Sequence, residues 1–218
     1  MKKILFVLVA SLAISATCTA QTEKGKMLLG GAIWFRSAKS SYSPKKSTII
    51  DVMPNVGYFI ADNLAIGGGI GYSYQNDPAK LYPGYHTWTD ALKSNTFSIS
   101  TFGRYYIGLT PEIKFFSQLS GSIAMQQSKY TDQSDNPITD KLKNRVYDVS
   151  LSPGFAIFPS RKIGIELSFT GFQYRKGNVK YPNFSPYTNK NEVRELHFRS
   201  FDLGANFFTP HLGVQFYF

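Results

Sequence analysis

Residues 64–74 alternate without interruption: Leu64, Ile66, Ile70, Tyr72 and Tyr74 share one parity with Gly68, and Ala65, Gly67, Gly69, Gly71 and Ser73 share the other. A period of two belongs to a strand, whose successive side chains point to opposite faces of a sheet, and no helix has it. The two faces differ in size. One is large and apolar, while the other carries the smallest side chains available, which suits the crowded interior of a narrow closed barrel better than a solvated sheet surface.

The theme recurs along the chain and predicts eight strands. Their apolar sets are Met27, Leu29, Ile33 and Phe35; Ile50, Val52, Val56, Tyr58 and Ile60; the 64–74 set; Phe97, Ile99, Tyr105, Ile107 and Leu109; Phe115, Leu119, Ile123 and Met125; Tyr147, Val149, Leu151, Phe155 and Ile157; Ile163, Ile165, Leu167 and Phe169; and Leu212, Val214, Phe216 and Phe218. Upstream of the last set, Phe201, Leu203, Ala205 and Phe207 have the opposite parity, so a bulge or break near Thr209-Pro210 must shift the register by one.

The connections alternate in length. Ala61-Asp62-Asn63, Thr110-Pro111-Glu112 and Pro159-Ser160-Arg161-Lys162 read as tight turns, whereas the stretches near 37–47, 75–95, 127–145 and 175–196 are longer and polar. Short periplasmic turns and long external loops are the arrangement of an outer-membrane barrel, and an even strand count leaves both mature termini in the periplasm. The predicted fold is therefore all-β: an eight-stranded antiparallel transmembrane β-barrel with up-and-down meander order, spanning residues 21–218 as one domain, with Phe218 ending the last strand.

Residues 1–20 read as a cleaved signal peptide. Lys2 and Lys3 precede an apolar run over residues 4–14, and Cys18-Thr19-Ala20 supplies a small-residue cleavage site. That run is far short of the roughly 20 residues a spanning helix needs. Cys18 raises the alternative of a lipoprotein, but Ser15, Ala16 and Thr17 lack the bulky aliphatic residue of such a site. With Cys18 removed the mature chain has no cysteine, which excludes disulfides and thiolate metal sites. No other stretch approaches eighteen uninterrupted apolar residues, so a membrane crossing would have to use strands.

Charge sharpens the reading. The formal net charge of +10 falls to +8 without Lys2 and Lys3, 22 basic residues facing 14 acidic ones. An exported chain is not expected to meet nucleic acid, so anionic lipid head groups are the expected counter-charge. Within the strands, Arg36, Asp51, Arg104, Lys114, Asp148, Glu166 and Asp202 all take the parity opposite to the apolar set. A lipid-facing Arg or Lys near the midplane costs about 2–4 kcal/mol, so these seven are expected inside as a hydrogen-bonded ion network centred on Arg104 and Glu166. Aromatics mark the two ends: Tyr58, Tyr105, Tyr106, Phe115, Phe155, Phe216, Tyr217 and Phe218 on the periplasmic side, and Trp34, Phe35, Tyr72 and Tyr74 on the outer side.

The segments Pro54-Asn55-Val56-Gly57-Tyr58-Phe59-Ile60-Ala61-Asp62-Asn63-Leu64-Ala65-Ile66-Gly67, Phe102-Gly103-Arg104-Tyr105-Tyr106, Ser152-Pro153-Gly154-Phe155 and Leu212-Gly213-Val214-Gln215-Phe216-Tyr217-Phe218 resemble the small OmpA-like, porin-annotated barrel proteins of Bacteroidetes. The resemblance covers nearly the whole mature chain and implies a fold and an outer-membrane location, but no reaction. It also implies that Phe216 and Phe218 form part of the signal read by the barrel assembly machinery.

No catalytic or cofactor motif stands out. Gly67-Gly68-Gly69-Ile70-Gly71 lacks the following lysine and helix of a phosphate loop, and His86, His197 and His211 are scattered. His197 and Ser200, three apart in a strand, face opposite ways, which weighs against a lipid A-modifying enzyme. A diffusion porin needs sixteen or more strands for an aqueous channel. The expected function is membrane structure or surface interaction through four external loops, without enzyme activity or cofactor, the alternatives being a narrow-pore channel or a lipid A-modifying enzyme. Tyr82, Tyr85 and Trp88 in the second loop and Arg175, Lys176, Lys180, Tyr181, Phe184 and Tyr187 in the fourth are suited to lipopolysaccharide phosphates and sugars or to an extracellular protein or glycan partner. Of these, Tyr85, Trp88, Lys176, Lys180 and Tyr181 are the leading contact candidates.

Overall fold

A computed structural model describes residues 20–43, 45–82, 87–88, 90–132, 134–138, 140–183, 192–204 and 211–218. The expected signal peptide lies outside these residues, apart from Ala20. Among these residues a short 3₁₀ turn, Ala20–Thr22, leads into twelve strands: β1 (Met27–Lys39), β2 (Lys46–Ala61), β3 (Leu64–Asp77), β4 (Leu81–Tyr82), β5 (Thr87–Trp88), β6 (Ala91–Gly108), β7 (Ile113–Thr131), β8 (Leu142–Ser160), β9 (Ile163–Ser168), β10 (Phe172–Asn183), β11 (Glu192–Leu203) and β12 (His211–Tyr217). Of these, β4 and β5 stand apart, paired as a two-stranded sheet within the second long connection.

The others form one closed antiparallel barrel of eight strands. The seventh is built from β9 and β10, which pair successive lengths of β8, and the eighth from β11 and β12. Closure is made by β12 against β1, with Leu28 opposite Tyr217 and Leu29 opposite Phe216. Reciprocal bonds between the backbones of Met27 and Phe218, at 3.0 and 2.9 Å, extend that seam at the end of the tight turns. Among the described residues, positions 32–39 of β1 pair only with β2, and β11 pairs only with β10, so the seam is zipped at the turn end alone.

The alternation dictates the two faces. Outward residues at one level, Ile70, Ile99, Ile123 and Tyr147, are ladder neighbours on four successive strands and are between 42% and 57% exposed. The interior is apolar at the turn end, where Leu28, Phe59, Ala65, Phe102, Tyr106, Phe116, Ala156, Phe158 and Tyr217 form a buried cluster. Tyr106 and Tyr217, expected in the aromatic girdle, are thus inside; each adjoins an outward aromatic, and neighbours in a strand cannot share a face. Trp34 likewise takes the face opposite Phe35, although it is 60% exposed beside the unpaired length of β1.

Two breaks let the chain change parity. Ile163 and Ile165 face outward in β9, but in β10 Tyr174 faces outward and Phe172 shares its parity, so residues 169–171 insert one extra residue, and Phe169, expected to face out, is buried instead. The expected change in the last strand is present between β11, with Phe201 and Leu203 outward, and β12, with Leu212, Val214 and Phe216 outward; residues 205–210, including Thr209 and Pro210, lie outside the described residues. Strands also reach further into the polar connections than expected: β7 continues to Thr131, β8 begins at Leu142 and β10 runs to Asn183.

Candidate functional site

The interior at the turn end is built in layers. At the base, the 3₁₀ turn tucks Gln21 and Thr22 inside, both 2% exposed, and Gln21 donates to the carbonyl of Ser160 at 2.9 Å. Lys114, an inward residue of β7, donates to Thr22 Oγ1 and, at 3.0 Å, to Asn63 Oδ1. Asn63 sits at the tip of the β2–β3 turn with φ of 62°, a left-handed position that asparagine tolerates better than most residues.

Above it lies the aromatic layer. Phe158 meets Tyr217 edge-on with centroids 5.1 Å apart, and Tyr106 lies 5.8 Å from both Phe59 and Phe116. The small residues of the opposing strands make room for these rings. A Cβ on Gly67 would sit 2.4 Å from Phe102 Cζ and 2.3 Å from the Val56 carbonyl oxygen, and one on Gly154 would meet Phe116 at 2.5 Å.

The charged layer rests on these rings. Arg104 Nη1 lies 2.5 Å from Glu166 Oε1, with both side chains at most 7% exposed. Arg104 Nε donates to Gln118 Oε1 at 2.8 Å, and Nη1 also donates to the Tyr106 hydroxyl at 2.9 Å. The Tyr217 hydroxyl donates to Glu166 Oε1 at 3.0 Å and lies 3.0 Å from that of Tyr106. The guanidinium stacks 4.6 Å above the Phe116 ring. Removing two charges from water is costly, and here it is offset by a short ion pair, several further hydrogen bonds and a cation–π contact. The result is a fixed plug across the barrel.

Beyond the plug packing loosens. Inward Ser98, Ser100, Ser120, Ser122 and Ser150 are half-buried, so small polar side chains line this length of the barrel. At the loop end a polar string closes in again, with Gln126 donating to buried Ser94 and Asn144 donating to Gln126.

Of the seven charged residues expected to form one interior network, the structure brings Arg104 and Glu166 together and buries Lys114 in a separate layer. Asp51 is half-buried opposite Trp34 and Ser73, and Asp148 accepts from Gln173 Nε2 at 2.7 Å. Arg36 and Asp202 have the expected inward parity but are exposed, because they lie in strand lengths that lack a second neighbour. Phe216 and Phe218 are outward and 44% and 56% exposed. Lys176 is exposed, Lys180 pairs with Glu195 at 3.3 Å, and Tyr181 is 38% exposed. Tyr85 lies outside the described residues, and of Trp88 only the backbone, in β5, is described. The ladder pairs His197 with Asn178 and Ser200 with Arg175, so the two candidates for catalysis sit on opposite faces of β11. Among the described residues no group of three or more His, Cys, Asp or Glu could hold a metal ion.

The aromatic partners of the plug, and the Gln21–Thr22 base, were not anticipated. Their signal lies in the doublets Tyr105-Tyr106, Phe115-Phe116 and Phe216-Tyr217, since alternation allows only one member of each to face outward.

No protein-family model and no curated protein matches the chain. Among solved structures it is similar to the N-terminal β-barrel domain of Pseudomonas aeruginosa OprF, with 14% identity over 89% of this chain and 98% of that one and a TM-score of 0.41. It is similar to Neisserial surface protein A, with 11% identity over 88% and 97% of the two chains and a TM-score of 0.41. It is also similar to the attachment invasion locus protein Ail of Yersinia pestis, with 10% identity over 89% and 99% and a TM-score of 0.39. Similarity of this degree carries no residue role from those proteins to this chain.

Proposed function

We propose that the chain is an integral barrel of a bacterial outer membrane, with both ends of the mature polypeptide in the periplasm, acting in membrane structure or surface interaction through its long loops rather than as an enzyme or an open pore. The observation that carries this is the inversion of the sheet. The outward face is a belt of exposed large apolar side chains such as Ile70, Ile99 and Tyr72, while an Arg–Glu pair is buried at the centre. Water would penalise that belt, whereas hydrocarbon tolerates it and favours backbone groups paired within a ladder, which β12 closes onto β1 at the turn end. Against a channel stands the plug of Arg104, Glu166, Tyr106 and Tyr217, with the aromatic layer beneath it.

Partners follow from the same reading: outer-membrane lipid and lipopolysaccharide around the belt, the barrel assembly machinery at Phe216 and Phe218, and an extracellular protein or glycan at the loops. The test is purification of the mature chain with and without detergent, together with protease treatment of intact cells. Detergent dependence and external cleavage near residues 85 and 185 are expected; a monodisperse protein in plain buffer would refute the reading. Planar-bilayer recordings should show no large stable conductance.

A further inference from the structure

Where the apolar belt ends toward the loops, the barrel is not uniform around its circumference. On β1, β2, β3, β6 and β7 the first outward residue beyond the belt is neutral: Ser37, Thr48, Asn76, Asn95 and Gln127. On β8, β10 and β11, which are consecutive neighbours, it is Arg145, Lys176 and Arg199. All three are exposed. They lie directly above Tyr147, Tyr174 and Phe201, outward residues that are 44%, 37% and 64% exposed.

The arrangement is unfavourable unless something negative joins it. Lys176 and Arg199 are direct ladder partners, and Arg145 sits one level up on the other flank of Lys176. Like charges directly opposite in an antiparallel pair, with Cβ atoms about 4.5–5.5 Å apart, are destabilising. The acid that lines the same cavity does not relieve them: Glu195 is held by Lys180 at 3.3 Å and by Asn178 Nδ2 at 2.8 Å. Among the described residues none of the three cations has an ion pair. A cavity of about 1160 Å³ opens at this place, lined by Arg145, Tyr147, Lys176, His197 and Arg199 among others.

We propose that Arg145, Lys176 and Arg199 form a binding site on the outer wall of the barrel for the phosphate of a membrane lipid, with its acyl chains lying down the belt past Tyr174 and Phe201. This rests on the reading that the belt faces a bilayer. A phosphomonoester offers three oxygens to a cluster whose members are within reach of one another, and Arg can engage two of them at once. The apolar floor makes the ligand an amphiphile rather than a soluble anion. A second row of lysines lies further toward the loops on other strands, among them Lys129 and the ladder partners Lys39 and Lys46, each separated from the belt by a neutral outward residue, and provides a built-in control for like-charge pairing alone.

The test uses the folded full chain in zwitterionic micelles, with dioleoyl phosphatidate, dioleoyl phosphatidylcholine and inorganic phosphate as probes and retained lipid read by native mass spectrometry. The parent should prefer phosphatidate, and R145Q/K176Q/R199Q should weaken that binding about a hundredfold, at roughly a factor of five per cation. K39Q/K46Q/K129Q removes the same charge from elsewhere and should leave it within about threefold. Should the first triple variant fail to show the heat-modifiable mobility of a folded barrel, K176E alone should still cost about tenfold or more. Equal losses in both triple variants would reduce the effect to diffuse charge and overturn the site. Inorganic phosphate binding as tightly as phosphatidate would overturn the lipid. Detergent-free monodispersity sinks the membrane reading, whereas an inserted barrel whose R145Q/K176Q/R199Q variant binds like the parent sinks only this site.

Discussion

Truncating either member of the Arg104–Glu166 pair should destabilise the barrel far more than its size suggests. Arg104→Ala leaves the Glu166 carboxylate buried with the Tyr217 hydroxyl as its remaining donor and removes the donor to Gln118; Glu166→Ala leaves the guanidinium clasped between Phe116 and Tyr106 without a counter-ion. Both side chains are at most 7% exposed, so solvent does little to screen the loss. Removing one partner of a buried pair costs about 3–5 kcal/mol. At about 2–4 °C per kcal/mol for a domain of this size, each single variant should lower the melting midpoint by about 6–20 °C. The double variant abolishes the orphan charge, so its cost should fall short of the sum by about 1–3 kcal/mol. The assay is unfolding in detergent followed by heat-modifiable gel mobility and near-ultraviolet dichroism, which reports the packed tyrosines. Additivity of the two single changes to within about 0.5 kcal/mol would refute the direct pairing.

The fit of rings against glycines makes a second expectation: Gly67→Ala should abolish folding, because its Cβ falls 2.3 Å from a backbone oxygen, whereas Gly103→Ala, with nothing within 4 Å, should refold like the parent, as judged by gel mobility. Among the loops, hydrogen bonding and charge from Lys45 hold the Asp135 carboxyl below its ordinary value. A depressed folded pKa means the contact contributes fully above the ordinary carboxylate pKa and is lost as pH falls through the lower, folded value. Lys45→Met should therefore move the Asp135 titration midpoint upward in carboxyl-detected NMR.

The outward face could be read from the sequence because lipid-facing and inward positions alternate and differ in chemistry; Ile70, Ile99 and Ile123 need only a parity count to be assigned. The pairing of Arg104 with Glu166 was likewise legible as chemistry, since each charge had to avoid the belt and find a partner. What parity cannot give is depth. Arg36 and Asp202 share the inward parity of Arg104 but occupy lengths where the wall is incomplete, and only the closure of β1 on β12 reveals which inward positions lie inside a sealed tube. The aromatic layer was obscured for a related reason: Tyr106, Phe116 and Tyr217 each stand next to an outward aromatic, and counting aromatics by region merges the two faces. The break in the seventh strand was hidden because Phe169 extends the outward series Ile163, Ile165 and Leu167 without fault, although it is buried in the structure.

That break and the end of β11, which precedes the parity change in the eighth strand, are adjacent in space, the Gly204 amide donating to the Gly171 carbonyl at 2.9 Å. Their role follows from what an uninterrupted strand would do. Continuing the parity of Ile163 and Ile165 past residue 168 would turn Gln173 and Arg175 outward and Phe172 and Tyr174 inward, and continuing that of Leu212 would expose Asp202 in place of Phe201. Taking Phe172, Tyr174 and Phe201 out of an apolar environment costs about 1.5–3 kcal/mol each, more than the roughly 1 kcal/mol of a ladder bond disturbed by a bulge. The bulge therefore wins, and it also carries Lys176 to the outer wall. Removing the extra residue should be tolerated: deleting Thr170 brings Phe169 into the outward series and leaves Phe172 and Tyr174 outward. Deleting Thr101 from unbroken β6 has the opposite consequence, because it sends Phe97 and Ile99 inward and Ser98 and Ser100 into the belt. At about 1.5–3 kcal/mol for each large side chain removed from its apolar environment, that cost approaches the whole stability of a domain. After refolding into detergent, the Thr170 deletion should give a heat-modifiable barrel and the Thr101 deletion should not. If the two deletions prevented folding equally, the parity of the faces would not be what fixes the register of the seventh strand.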